Sequence, residues 1–264
     1  DLDAELKGIK RPKPRKSNFK VRLPKPGAKP GRTLRMRVMN RTPRGVETRG
    51  KLGLWLSPKS IKTLSKTLIP KVWWWLPPVI WPEDEEEFVR TLKMSFRNGA
   101  KKFVLGAPWQ VVFFEGQRGV NLTAGPMCNM GNPLALQVME RMGVERAIAS
   151  MELGGEDFIA LGKQSPVPIG AVTSGEIPVG ISRVKLETAK PGRPLQSPKH
   201  EVFWYKRYGK NMWIFPNWPL DLSEQEPELE QAGYDTFITM MEQRPKEAPE
   251  PKRTSKFNWD VGLM

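Results

Sequence analysis

Two carboxylates, Glu152 and Glu176, stand at or just beyond the ends of segments that read as buried strands. In α/β folds that is where side chains meet substrate. Such a pair serves as acid and base when its surroundings push the two pKa values apart, which is what hydrolysis needs. The ordinary alternative is that each caps a helix or pairs with a lysine. Arg183 joins them as a third candidate catalytic residue. Asn129 and Asn132, in the loop CNMGNP, are candidate substrate-binding residues through their amides. Asparagine is equally a turn and cap residue.

The chain has one cysteine, Cys128, and one histidine, His200. Zinc and iron–sulfur sites built from Cys and His need several ligands, so no metal site and no cofactor is expected. A disulfide within the chain is excluded on the same count. Cys128 precedes a helix N-terminus, which favours a thiolate; the role expected of it is nonetheless a small, buried apolar side chain. His200 has only Glu201 beside it and reads as a surface histidine. A Ser–His–Asp set is not visible.

The elements that must position these groups alternate. Leu34, Met36 and Val38 interleave with Arg35 and Arg37, a strand with one basic face. Residues 52–56 are a strand, and Ser57 and Pro58 open a helix that carries Ile61, Leu64 and Leu68 inward. The strand 72–76 points Trp73, Trp74 and Trp75 to alternate faces. The acidic run 82–87 suits a helix N-terminus, and Phe88, Leu92 and Phe96 form that helix's apolar stripe. Strands follow at 102–106 and 120–124.

Next, Asn132 caps a helix opened by Pro133, with Leu134, Val138 and Met142 as its stripe; Gly143 ends it and 146–150 is a strand. A short helix (156–161), a strand (167–172), a loop (184–200), a hairpin (201–205 and 212–215), an acidic helix (222–231) and a last strand (234–240) complete the pass.

About eight strands in βα alternation over some 200 residues predict a TIM-like (β/α)8 barrel with a C-terminal β-hairpin insertion. The barrel is irregular at residues 40–51, which are too short and polar for a helix between the first two strands. An open doubly wound sheet is the alternative, weakened because no glycine-rich phosphate fingerprint follows any strand. The expected division is a basic Pro/Lys/Arg-rich arm (1–33), extended and mobile; a barrel-like domain (34–241) including the hairpin 201–215; and a tail (242–264) whose FNWDVGLM docks aromatics on the body.

The net charge is +15, of which +12 falls in residues 1–50 and +3 in the rest. Lys10, Arg11, Lys13, Arg15, Lys16, Lys20 and Arg22, with Arg35 and Arg37, are candidate residues for binding a polyanion such as RNA. A solvated linker has the same composition. Ten tryptophans invite base stacking, although packing is their default. Trp204, Trp213 and Trp218, on the hairpin, are the better candidates for a contact surface. The longest apolar run, 72–81, is too short to span a bilayer and is broken by Pro77 and Pro78. Cysteine scarcity suits a reducing cytoplasm. The chain opens on Asp1 and is expected to be the C-terminal portion of a longer protein.

From Leu34 onward, several blocks in order resemble the U-type peptidase family 32, the collagenase-like peptidases of unknown catalytic type. These are CNMGNPLAL (128–136), MGVERAIASMEL (142–153), GEIPVGIS (175–182), the stretch 205–222 ending in IFPNWPLDL, and RTSKFNWDVGLM (253–264). The resemblance implies a barrel-like α/β fold and a peptidase acting on a protein or peptide. It also implies an alternative role as an accessory protein for RNA hydroxylation or modification. Several members of that family hold an iron–sulfur cluster through four cysteines. This chain departs there: Glu176, Val179 and Gly180 occupy the signature strand, and no cysteine follows Ser182.

Overall fold

The computed structural model describes residues 22–27, 31–40, 51–184 and 194–261. Its strands, in chain order, are β1 (Leu34–Met39), β2 (Lys51–Trp55), β3 (Trp73–Trp75), β4 (Lys102–Leu105), β5 (Asn121–Ala124), β6 (Arg146–Ile148) and β7 (Ile169–Gly175). These are followed by β8 (Gly180–Ser182), β9 (Leu195–Gln196), β10 (Val202–Tyr208), β11 (Asn211–Pro216), β12 (Leu220–Asp221) and β13 (Tyr234–Met241). β1 to β7 pair in parallel, each with the next, and β13 lies parallel between β7 and β1. The eight strands therefore close into a cylinder, a TIM-like (β/α)8 barrel. β8 to β11 are the hairpin insertion, a four-stranded antiparallel sheet in the order β8-β11-β10-β9. The connection 41–50, where the barrel was expected to be irregular, lies outside the described residues.

Two apolar layers result from the alternation of side chains. Leu54, Trp74, Phe103, Leu105, Ala147 and Phe237 face outward to the helices. Met36, Val38, Trp73, Trp75, Val104, Ile148, Val172 and Ile238 fill the cylinder. The three consecutive tryptophans divide as the period of two requires. Trp74 donates its Nε1–H outward to the Ile69 carbonyl at 3.1 Å, while Trp73 and Trp75 point inward.

Helices cover the outside unevenly. α1 (Pro58–Thr63) has a capping box in which the Ser57 side chain accepts from Ser60 N–H. It is shorter than expected: Leu64 is already its C-cap, and Leu68 packs from the turn beyond. α2 (Pro82–Arg97) starts with Glu83, Asp84 and Glu85 in its first turn and buries Phe88 and Leu92 as the spacing predicts.

α3 (Pro133–Arg141) corrects the stripe. Leu134, Val138 and Met142 are exposed, and the buried residues are Leu136 and Met139. Apolar residues occupy both faces of this helix, so the spacing alone does not choose between them. α4 (Gly155–Gln164) and α5 (Glu226–Ala232) complete the set. The C-terminal segment docks as expected: Trp259 packs on Phe158 at 5.7 Å and its carbonyl accepts from Gly155 N–H. Residues 22–27 also lie on the body, with Gly27 N–H donating to Ser165 O at 2.8 Å.

The interior has no spare width. A Cβ built on Gly53 would sit 2.7 Å from Trp75 Nε1 and 3.0 Å from Val38 Cγ2. Overpacking of this kind costs about 1–3 kcal/mol. Gly53→Val is expected to lower stability by about that amount in urea unfolding, whereas Gly209→Ala, at a hairpin turn with open space around it, is expected to show only the modest strain of its positive φ.

Candidate functional site

The C-terminal ends of the barrel strands form a mouth, and the four-stranded sheet lies across it as a cap. On one side the cap is fastened to the loop after β3. Trp81 Nε1–H donates to Asn211 Oδ1 at 2.6 Å, Lys210 pairs with Asp84 at 2.5 Å, and Arg183 pairs with Glu83 while stacking on the Trp81 ring. Over the middle, Trp55 at the end of β2 meets Trp75 from below and Trp213 from above, with ring centroids 5.7 and 4.9 Å apart. Trp204 and Phe215 stack at 4.2 Å inside the cap. A cavity at the mouth, bounded among the described residues by Val38, Asn40, Trp55, Glu176, Phe215 and Glu242, is about 10 Å³, the room of a single water.

On the β7 and β13 side the cap is fastened by a buried polar cluster. Gly175 ends β7 at φ +108°, with its Cα against the Met240 backbone, and the chain turns there to place Glu176. Arg244 donates from one nitrogen to Glu176 Oε1 at 2.8 Å and from the other to Asn217 Oδ1 and the Pro249 carbonyl. Next to this pair, Lys206 donates to Glu242 Oε1 at 2.6 Å, and the Asn40 amide donates to Glu242 Oε2 and the Tyr208 hydroxyl. The Glu242 and Glu176 side chains are only 6% and 11% exposed. Glu176 Oε2 is buried with no partner among the described residues. Burial pushes the Glu176 carboxyl above its ordinary range; the Arg244 charge and hydrogen bond pull the other way, and Glu242 adds to the rise.

The other candidates divide between two places. Asn129 sits in the left-handed region at φ 57° and accepts from the Ser150 hydroxyl, which also receives Glu152 N–H. Asn129 and Glu152, both exposed, thus meet at the buried Ser150 in one small group past β5 and β6. Asn132 lies in the same loop and caps α3, its Oδ1 accepting from Ala135 N–H at 2.9 Å. These residues and Glu176 share the mouth end of the barrel. Arg183 also lies at that end, but its guanidinium is held by Glu83 after β3, far round the ring from the Glu176 cluster after β7.

Cys128 is buried, donates to the Leu105 carbonyl at 3.4 Å, and burial pushes its thiol up to about 12. This is the small, buried apolar role expected of it: loss of water outweighs the thiolate-favouring chain position. His200 is exposed, and its ring nitrogen Nδ1 lies 3.3 Å from the Gln196 side-chain amide. Trp204 and Trp213 are 1% and 5% exposed, so they are core of the cap and not a contact surface. Trp218 is half-buried between Phe203 and Arg253.

Of the basic candidates, Lys10, Arg11, Lys13, Arg15, Lys16 and Lys20 lie outside the described residues, and Arg22 is exposed. Arg35 pairs with Glu226 at 2.6 Å over the Phe237 ring, beside Arg37, in an outer groove of about 250 Å³. Among the described residues no helix is long and apolar enough to cross a membrane.

Sequence reasoning missed Asn40, Lys206, Asn217, Glu242 and Arg244. Glu242 carried a usable signal: it follows the last strand directly, as Glu176 follows β7. The polar composition after it placed it in the tail instead.

No family model and no curated protein matches the chain. A solved structure of a U32 peptidase is similar to it with a TM-score of 0.48 and 10% identity, covering 89% of this chain and all of that one.

Because the Glu176 pKa is raised above the ordinary 4.5, the folded state binds its proton more tightly than the unfolded chain does. The stability this contributes is full below about pH 4.5 and is lost as pH rises through the folded-state value. Urea midpoints of the native chain are therefore expected to fall relative to those of Glu176→Gln as pH is raised from about 4 to about 7. A constant difference would show that the two states hold this proton equally.

Proposed function

We propose that the chain is a collagenase-like peptidase whose proton-transfer group is Glu176. The observation that carries this reading is a buried carboxyl at the functional end of a barrel, with an unsatisfied oxygen, a raised pKa and the room of one water beside it. In the ionised fraction, Glu176 accepts a proton from a water whose oxygen attacks the peptide carbonyl carbon. The same proton then passes to the departing amine as the C–N bond breaks. Arg244, held by Asn217, fixes the carboxyl and sustains its ionised form. The cap has to lift for a peptide to enter; its fastenings at Glu83–Arg183 and Asp84–Lys210 are solvent-screened pairs that resist little. Purified protein is expected to cleave an unfolded collagen or casein substrate, and Glu176→Gln to lower the rate by about 100-fold or more. Glu152→Gln, at the exposed carboxylate of the neighbouring group, tests the second carboxylate; a rate unchanged in both variants would remove these carboxyls from the chemistry.

A second reading is favoured by the charge distribution: +12 of the +15 lies in residues 1–50. In that reading the basic arm grips RNA and the barrel serves as an accessory in RNA modification. Neutralising Lys10, Arg11, Lys13, Arg15 and Lys16 to glutamine is expected to lower RNA affinity and flatten its dependence on salt by about 3.5 to 4.5 in the log–log slope, at about 0.7–0.9 per contact. An unchanged slope would place RNA binding elsewhere or nowhere.

A further inference from the structure

At the opposite end of the barrel, two lysines have no ion-pair partner among the described residues. Gly53, Trp73, Lys102 and Asn121 are register partners on four adjacent parallel strands, so their side chains share one face of the sheet. Trp73 lies in the interior cluster, which makes that face the inside of the cylinder. Lys51, two residues before Gly53, is on the same face and begins β2. The two lysines thus flank Trp73 at the floor. Lys102 Nζ lies 5.6 Å from the Trp73 ring centroid.

The nearby acids are already engaged, Asp235 by Arg146 and Glu145 by Asn121. Among the described residues no carboxylate forms an ion pair with Lys51 or Lys102. Burial, reinforced by the Lys51 charge, lowers the Lys102 pKa, so the two ammonium groups feel each other. The Trp73 indole N–H is buried and also has no partner there, and the residue is 9% exposed. Desolvating one cation beside another and beside an unsatisfied donor is costly unless an anion completes the group.

We propose that this floor binds a phosphate group between the Lys51 and Lys102 ammonium groups, against Trp73. The phosphate is either a free anion or part of a nucleic-acid backbone. The second source has a route: residue 33 leads into β1 at this same end, so the basic segment before it joins the barrel beside the floor. The site is independent of the chemistry proposed at the mouth, and either stands if the other fails.

Calorimetric titration of the full chain with inorganic phosphate at low ionic strength tests it. One saturable site is expected, weakened about tenfold or more in Lys102→Gln, as loss of a charged hydrogen-bond donor implies. A several-fold loss is expected in Lys51→Gln, with substantial recovery in Lys102→Arg. Phosphate should also raise the melting temperature of the native chain and not that of Lys102→Gln. If Lys102→Gln does not fold, Lys51→Gln decides, because its side chain is exposed. Competition by single-stranded RNA would assign the phosphate to a nucleic-acid backbone, and its absence to a free anion; both keep the site. No saturable heat with the native chain, or equal affinity in the lysine variants, overturns it.

Discussion

The width of the closed cylinder is the constraint on which the rest of the molecule depends. Eight short parallel strands leave an interior that side chains must fill to the density of a crystal. β3 contributes two inward indoles, Trp73 and Trp75, and Gly53 on the adjacent strand makes room for them. Trp75 in turn meets Trp55 at the rim, and Trp55 meets Trp213 of the cap. Aromatic packing therefore links the barrel interior to the sheet that covers its mouth. The same bulk leaves only about 10 Å³ beside Glu176. Any chemistry at the mouth is set by how that sheet sits.

The cap is held by interactions of different kinds on its two sides. After β3 they are exposed and screened, Asp84 with Lys210 and Glu83 with Arg183. After β7 and β13 they are desolvated and connected, with Arg244 bridging Glu176 and Asn217, and Lys206 and Asn40 meeting at Glu242. Breaking one partner of a buried pair leaves a costly unpaired charge, so a cluster of this kind fixes position more than it adds stability. The two sides differ as a hinge differs from a latch.

Much of the barrel was legible in the sequence because strands and helices write different periods. Alternation at 34–38 and in the tryptophan run, and the acidic start with its Phe88 and Leu92 stripe, match β1, β3 and α2. The face of α3 was not legible, since Leu134 and Val138, four apart, and Leu136 and Met139, three apart, both keep a helical spacing, yet only the second pair is buried. The hairpin itself was legible, but not its resting place. Its docking is made by contacts between residues more than a hundred positions apart, such as Trp81 with Asn211, and no local pattern encodes them. Glu176 could be picked out by its place after a strand; its partner Arg244 could not, because it comes from a polar segment that reads as solvated chain. Cys128 was read correctly as a buried apolar side chain, because burial outweighs the thiolate-favouring position before a helix.

The last barrel strand, β13, is also nearly the last part of the chain, and it is the piece that sits between β7 and β1. On a ribosome the first seven strands emerge well before it. Until residues 234–241 arrive, β1 and β7 both present unpaired backbone edges, the kind of surface that invites pairing with other chains. The cap, made just before β13, is synthesised over a ring that is still open. A nascent chain stalled short of residue 234 would thus expose two sticky edges, and protection of those edges by a chaperone matters most in that interval.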